Sequence, residues 1–156
     1  MCEELAATTY SEFAKMAIEE HHRLSQARSR LRHLLEEFIS HPGKNKRSDL
    51  LHSFQEFREL LLEHMEFEEK DGFMAPILEI RPNLASKIEK LEQDHESLRV
   101  KLDRELAILE SPGEFTYPVM DIVLRIADML DFIEAHERDE NVMVLDTLCQ
   151  DTGTKD

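Results

Sequence analysis

Apolar residues recur at three- and four-residue spacing in four long segments of the chain, about 8–40, 48–70, 83–110 and 118–149. That spacing returns to one face of an α-helix with every turn. Three stretches rich in Gly, Pro and polar residues separate the segments: HPGKNKRS at 41–48, DGFMAPILEIRPN at 71–83 and SPGEFTYP at 111–118. Breaks this short join antiparallel neighbours. The pattern therefore predicts an all-α fold, an antiparallel up-down-up-down four-helix bundle. The whole chain, 1–156, reads as a single domain with its core at about 8–149. Thr116 is placed to cap the fourth helix, and Asn83 or Ser86 the third.

Each apolar stripe is interrupted by groups that do not belong in a core. The third segment reads Leu84, Ile88, Leu91, then His95, then Leu98, Leu102, Leu106 and Leu109. The second reads Leu50, Phe54, Phe57, Leu61, then His64 and Glu68. The fourth reads Ile122, Ile126, Met129, Ile133, then His136 and Glu140, then Met143 and Leu148. The first reads Phe13, Ala17, His21, Leu24, Leu31, Leu35 and Phe38. His21 lies in line with Ala17, Leu24 and Leu31, whereas the adjacent His22 lies in line with Ser25, Gln26, Ser29 and His33, so His21 is expected to be buried and His22 solvated.

An internal repeat makes the same choice. EHHRL around His21 matches DHESL around His95: an acid, a histidine, two residues and a leucine. HMEFEE from His64 matches HERDEN from His136, each a histidine with a glutamate four residues on. The chain thus reads as two similar helical hairpins, each with His on its first helix and HxxxE on its second.

Six polar groups point inward on this reading: His21, His64, Glu68, His95, His136 and Glu140. Burying them unpaired costs several kcal/mol, and the apolar stripes hold no Lys or Arg to offset them. A metal centre would offset them. Imidazole nitrogen with carboxylate oxygen suits iron, and also zinc or manganese. Residues four apart share a helix face, so HxxxE aims one nitrogen and one oxygen at the same region. Four His and two Glu exceed the needs of one four-coordinate ion and match two ions bridged by carboxylates, a centre that helix bundles hold. The ferritin-like arrangement of such a centre ranks second. Its ExxH motif occurs as EEHH at 19–22 and EQDH at 92–95, but on the wrong pair of helices. HESLR and HERDE begin like the HExxH protease motif and lack its second histidine.

The remaining residues receive plain readings. His33, His41 and His52 are expected to be solvated, as are Glu66 and Glu69 in the acidic run EFEEK. Met16, Met65, Met74, Met120, Met129 and Met143 read mostly as core filler. Neither Tyr10 nor Tyr117 is placed to serve the site.

Composition narrows the function. With 19 Lys and Arg against 34 Asp and Glu the net charge is −15. A field of that sign repels nucleic acid and anionic membranes and attracts cations. No apolar run is long enough for a transmembrane span, and the N-terminus lacks the pattern of a secretory signal. The two cysteines, Cys2 and Cys149, form no CxxC pair. A reduced, cytoplasmic protein is the expectation, although an up-down bundle would bring the two chain ends close enough for a disulfide.

His21, His64 with Glu68, His95, and His136 with Glu140 resemble the hemerythrin-like (HHE cation-binding) domain family. HMEFEEKDGFMAPIL is similar to that family's second-helix signature, HxxxEE followed by an aromatic residue and a proline. The resemblance spans about 8–148 and leaves no room for an output domain. It implies a non-heme centre of two iron ions with the four histidines as terminal ligands and Glu68 and Glu140 as bridges. It also implies a small diatomic ligand, dioxygen or nitric oxide, or a response to iron, and for a sensor a protein partner that takes the signal. Two positions depart from the oxygen-carrying members. Leu91 stands where they have a second helix-3 histidine, and the last carboxylate, Glu140, follows its histidine by four residues rather than five. Water or another carboxylate would then complete one iron. Stable oxygen carriage is disfavoured by these departures. Sensing, redox or peroxidase-type chemistry, and iron donation to damaged centres remain, with a metal-free helical interaction module as the third reading.

Overall fold

The computed structural model describes residues 2–41, 44–70, 74–115 and 117–152, with side chains at 12, 15–41, 46–70, 74–115, 117–147 and 149. Four long helices carry the fold: α1 (Cys2–Ser40), α2 (Lys44–Lys70), α4 (Ala85–Glu110) and α5 (Val119–Thr152). A short helix α3 (Met74–Ile80) and a 3-10 turn (Pro82–Leu84) connect α2 to α4. Both α1 and α4 pack against α2 and α5, so the four long helices close a ring around a shared interior. Among the described residues there is no strand.

The helices follow the predicted stripes, and α1 and α2 start earlier than the periodicity indicates. Glu3 to Ala7 and Lys44 to Arg47 contain no Gly, Pro or β-branched residue, so nothing in the backbone stops the helix there. The stretch 71–83, expected to be turn, instead contains α3 and the 3-10 turn. Pro76 is tolerated because it falls in the first turn of α3, where its missing N–H has no helical partner to lose. The expected side-chain cap of α4 is also corrected. Asn83 lies within the 3-10 turn, Ser86 lies within α4, and the cap position is Leu84, which makes no side-chain cap bond. The 3-10 turn runs straight into the helix, and the Ala85 N–H bonds to the Pro82 carbonyl instead. Thr116 and the side chains of Cys2, Tyr10, Phe13 and Leu148 lie outside the described residues.

The buried apolar residues fall into two clusters. The larger joins Leu24 to Phe38 of α1, Leu50 to Met65 of α2, Leu98 to Leu109 of α4 and Ile122 to Ile133 of α5. The smaller joins Ala17, Leu91, Ile88, Met143 and Val144 with Met74 and Ile77 of α3 and Leu84 of the 3-10 turn. That explains the short helix: its apolar residues, three apart, cover one end of the ring. Between the two clusters, on every long helix, lie the predicted polar positions. Leu91 packs in the smaller cluster, as does Ala17, its counterpart in the repeat. Of the six methionines read as filler, Met65, Met74, Met129 and Met143 are buried, while Met16 and Met120 are exposed.

The interior is not free of basic groups, contrary to the sequence expectation. Arg28 is buried against Glu137 at 2.7 Å, and buried Glu105 pairs with Arg125 at 2.8 Å. Each pair joins two helices, and Glu105 also lies 3.4 Å from Arg104. Periodicity misses them because an arginine stem covers apolar surface while its head reaches a partner on another helix. No helix among the described residues is long and apolar enough to cross a membrane.

Candidate metal centre

All six predicted groups are buried and meet in the layer between the two apolar clusters. α1 supplies His21, α2 His64 and Glu68, α4 His95, and α5 His136 and Glu140. They divide into two groups able to hold an ion, with ligand atoms in each within 4.8 Å of one another: His21, His64, Glu68 and Glu140, and His95, His136, Glu68 and Glu140. Both glutamates belong to both groups.

The histidines pair tip to tip. Nε2 of His21 lies 2.9 Å from Nε2 of His64, and Nε2 of His95 lies 3.0 Å from Nε2 of His136. The carboxylates fill the space between the pairs. Glu68 Oε1 faces His64 and, at 3.6 Å, His21, while its Oε2 lies 3.2 Å from His95. Glu140 Oε2 lies 3.1 Å from His21, while its Oε1 lies 2.8 Å from His136 and 3.6 Å from His95. All four carboxylate oxygens are buried, and none accepts a hydrogen bond of acceptable geometry.

The other ring nitrogen of each histidine is occupied. His21 Nδ1–H donates to Asn141 Oδ1 at 2.8 Å, and His64 Nδ1–H to Glu20 Oε2 at 2.5 Å. His95 Nδ1–H donates to Glu69 Oε1 at 2.9 Å, and His136 Nδ1–H to Asp94 Oδ2 at 3.2 Å. Arg99 in turn holds Glu69 at 2.7 Å, and Lys90 holds Asp94 at 3.0 Å. Such outer bonds fix the ring orientation and leave Nε2 as the inward lone pair. Four nitrogen and four oxygen lone-pair atoms then face one another out of water. That set is tolerable only with cations among them, either protons or metal ions.

The ionisation of these groups reflects the same need. Burial opposes charge on His21, yet Glu140 and Glu68 beside it raise its pKa to about 10. Burial likewise opposes charge on His64 and His95, and the neighbouring carboxylates raise them to about 9 and about 10. His136 is raised too, by Glu140 and Asp94 against its burial. Burial also opposes charge on Glu140, but His136, His21 and His95 hold it well below the usual carboxylate range.

Sequence reading missed the outer partners. Glu69, assigned to the solvated face, is exposed by area but bonds His95. The repeat contained the signal. The acid before the first histidine of each half, Glu20 or Asp94, reaches the second histidine of the same half. The residue after each glutamate, Glu69 or Asn141, reaches the first histidine of the other half. His22, His33, His41 and His52 are exposed as expected, and Tyr117, which has no expected part in the site, is exposed too.

A family model, the Hemerythrin HHE cation binding domain, matches residues 14–148. Neither the comparison with curated proteins nor that with solved structures found a match.

Proposed function

We propose that this chain, which belongs to the hemerythrin HHE cation-binding family, holds two iron ions and uses them to bind or sense a small diatomic ligand, dioxygen or nitric oxide. The observation that carries the proposal is the pair of shared, buried carboxylates whose four oxygens lack any hydrogen-bond partner. His21 and His64 would hold one ion and His95 and His136 the other, with Glu68 and Glu140 bridging. Zinc or manganese fits the same donors. Two irons there would supply electrons for reversible dioxygen reduction, or an open position for nitric oxide.

The chain's own residues do the rest. The outer bonds from Asn141, Glu20, Glu69 and Asp94 orient the four imidazoles. The two apolar clusters cover the layer on two sides, which strengthens the electrostatic contacts buried between them. A single-domain, antiparallel up-down-up-down bundle in a reducing, cytoplasmic setting belongs to the same reading. The successive pairs His21–Asn141, Arg28–Glu137 and Arg32–Asp131 support opposite senses for α1 and α5.

One observation favours a second reading. Leu91 is buried in the apolar cluster where oxygen carriers have a further histidine, so each ion would have only four protein atoms. That suits redox or peroxidase-type chemistry, or donation of iron, better than carriage. An absorption band that appears with oxygen and reverses under vacuum supports ligand binding. Turnover of peroxide, or transfer of iron to an apo-protein, with no such band supports the second reading instead.

A further inference from the structure

The repeat around the centre is broken at one position, and a cavity lies beside it. His64, His95 and His136 are each backed by a carboxylate, whereas His21 is backed by the neutral amide of Asn141. Glu69 and Asp94 are themselves held by Arg99 and Lys90. A charge-assisted hydrogen bond is roughly twice as strong as a neutral one. His95 and His136 are therefore latched in place, and His21 is not.

His21 and Asn141 line a cavity of about 320 Å³ between α1 and α5 that opens to solvent. Glu137 lines it as well and is only 6% exposed. Its Oε2 accepts from Arg28 at 2.7 Å, while its Oε1 is buried without a hydrogen-bond partner. The exposed His22 lines the facing wall, on α1. The groove's basic groups are matched by acids, Arg28 by Glu137 and Arg138 by Glu134.

We propose that this groove is the route by which the ion between His21 and His64 enters and leaves, while the ion between His95 and His136 is retained. The inference rests on the dinuclear reading given above. A divalent cation in the groove meets the exposed His22 imidazole before it reaches the buried carboxylate of Glu137 and the centre. His21 is the gate, because it swings aside at the loss of one neutral hydrogen bond. Releasing the other ion requires breaking a bond to an ion-paired carboxylate.

The test is release of metal from the full chain loaded with two equivalents of Zn²⁺ and mixed with a chromophoric chelator. Two equal phases are expected, the first faster by roughly tenfold or more, the factor that separates a charge-assisted from a neutral hydrogen bond. Ser25→Phe, which fills the groove from α1, should slow the fast phase and leave the slow one unchanged. Asn141→Asp, which gives His21 a carboxylate partner without filling the groove, should do the same. Circular dichroism establishes that each variant is folded. One common rate for both ions, or a fast phase unaltered by either variant, overturns the proposal. A chain that takes up no Zn²⁺ gives no chelator signal at all and overturns the dinuclear reading along with it.

Discussion

Glu68 on α2 and Glu140 on α5 face each other across the buried layer, and each offers one oxygen to the His21 side and the other to the His95 side. In the proposed centre neither ion is complete without both residues. Glu68→Ala or Glu140→Ala is therefore expected to abolish binding of both ions, whereas His64→Ala or His136→Ala should spare one. Elemental analysis of metal per chain distinguishes the two patterns. Unchanged metal content in the double glutamate variant would rule out the assignment.

The protonation of the histidines makes metal binding depend on pH. Against the cost of burial, neighbouring carboxylates raise His21, His64 and His95 from 6.5 to about 10, 9 and 10. Groups raised in this way contribute stability that is fully present below pH 6.5 and lost as pH rises through about 9 to 10. The metal-free protein should lose stability across that window. Metal must displace the same protons, so affinity should rise with pH from about 6.5 towards 9. Calorimetry in two buffers of different ionisation enthalpy reads the released protons, and heats independent of buffer would contradict this.

Glu69 joins His95 to Arg99. Burial works against its charge, but Arg99 and His95 lower its pKa. Glu69→Ala leaves His95 Nδ1 without its acceptor and should weaken one of the two ions by about 10–100-fold. Competition with a chelator of known affinity measures this. An unchanged affinity would mean that the ring needs no outer support.

The Arg28–Glu137 pair is a stability feature beside the centre. Both side chains are about nine-tenths buried, 11% and 8% exposed. Arg28→Ala leaves Glu137 uncompensated and should cost about 3–5 kcal/mol, while Arg28→Met with Glu137→Leu should be near neutral. Urea denaturation of the metal-free protein compares the two. Equal losses would show that packing, not charge, sets the cost.

The inward face of each long helix was legible in the sequence because burial repeats with the helical turn. Leu50, Phe54, Phe57, Leu61, His64 and Glu68 fall buried in the order the stripe gives. So was the choice of His21 over His22. What periodicity cannot supply is which residue on a helix edge reaches across to a neighbour. Glu69 looks solvated from its own helix, and only the approach of α4 brings His95 and Arg99 to it. Arg28 was invisible for the same reason. The α3 lid was hidden by Gly72, Pro76 and Pro82, which read as turn until the open end of the bundle supplies something for Met74 and Ile77 to cover.

The most direct test of the central claim is elemental analysis of untagged protein purified without added metal and then exposed to ferrous iron without oxygen. About two irons per chain, the content of a dinuclear helix-bundle centre, is the predicted result. A folded, fully helical protein that neither carries nor takes up metal would contradict it, and would leave the six buried groups as a network held together by protons.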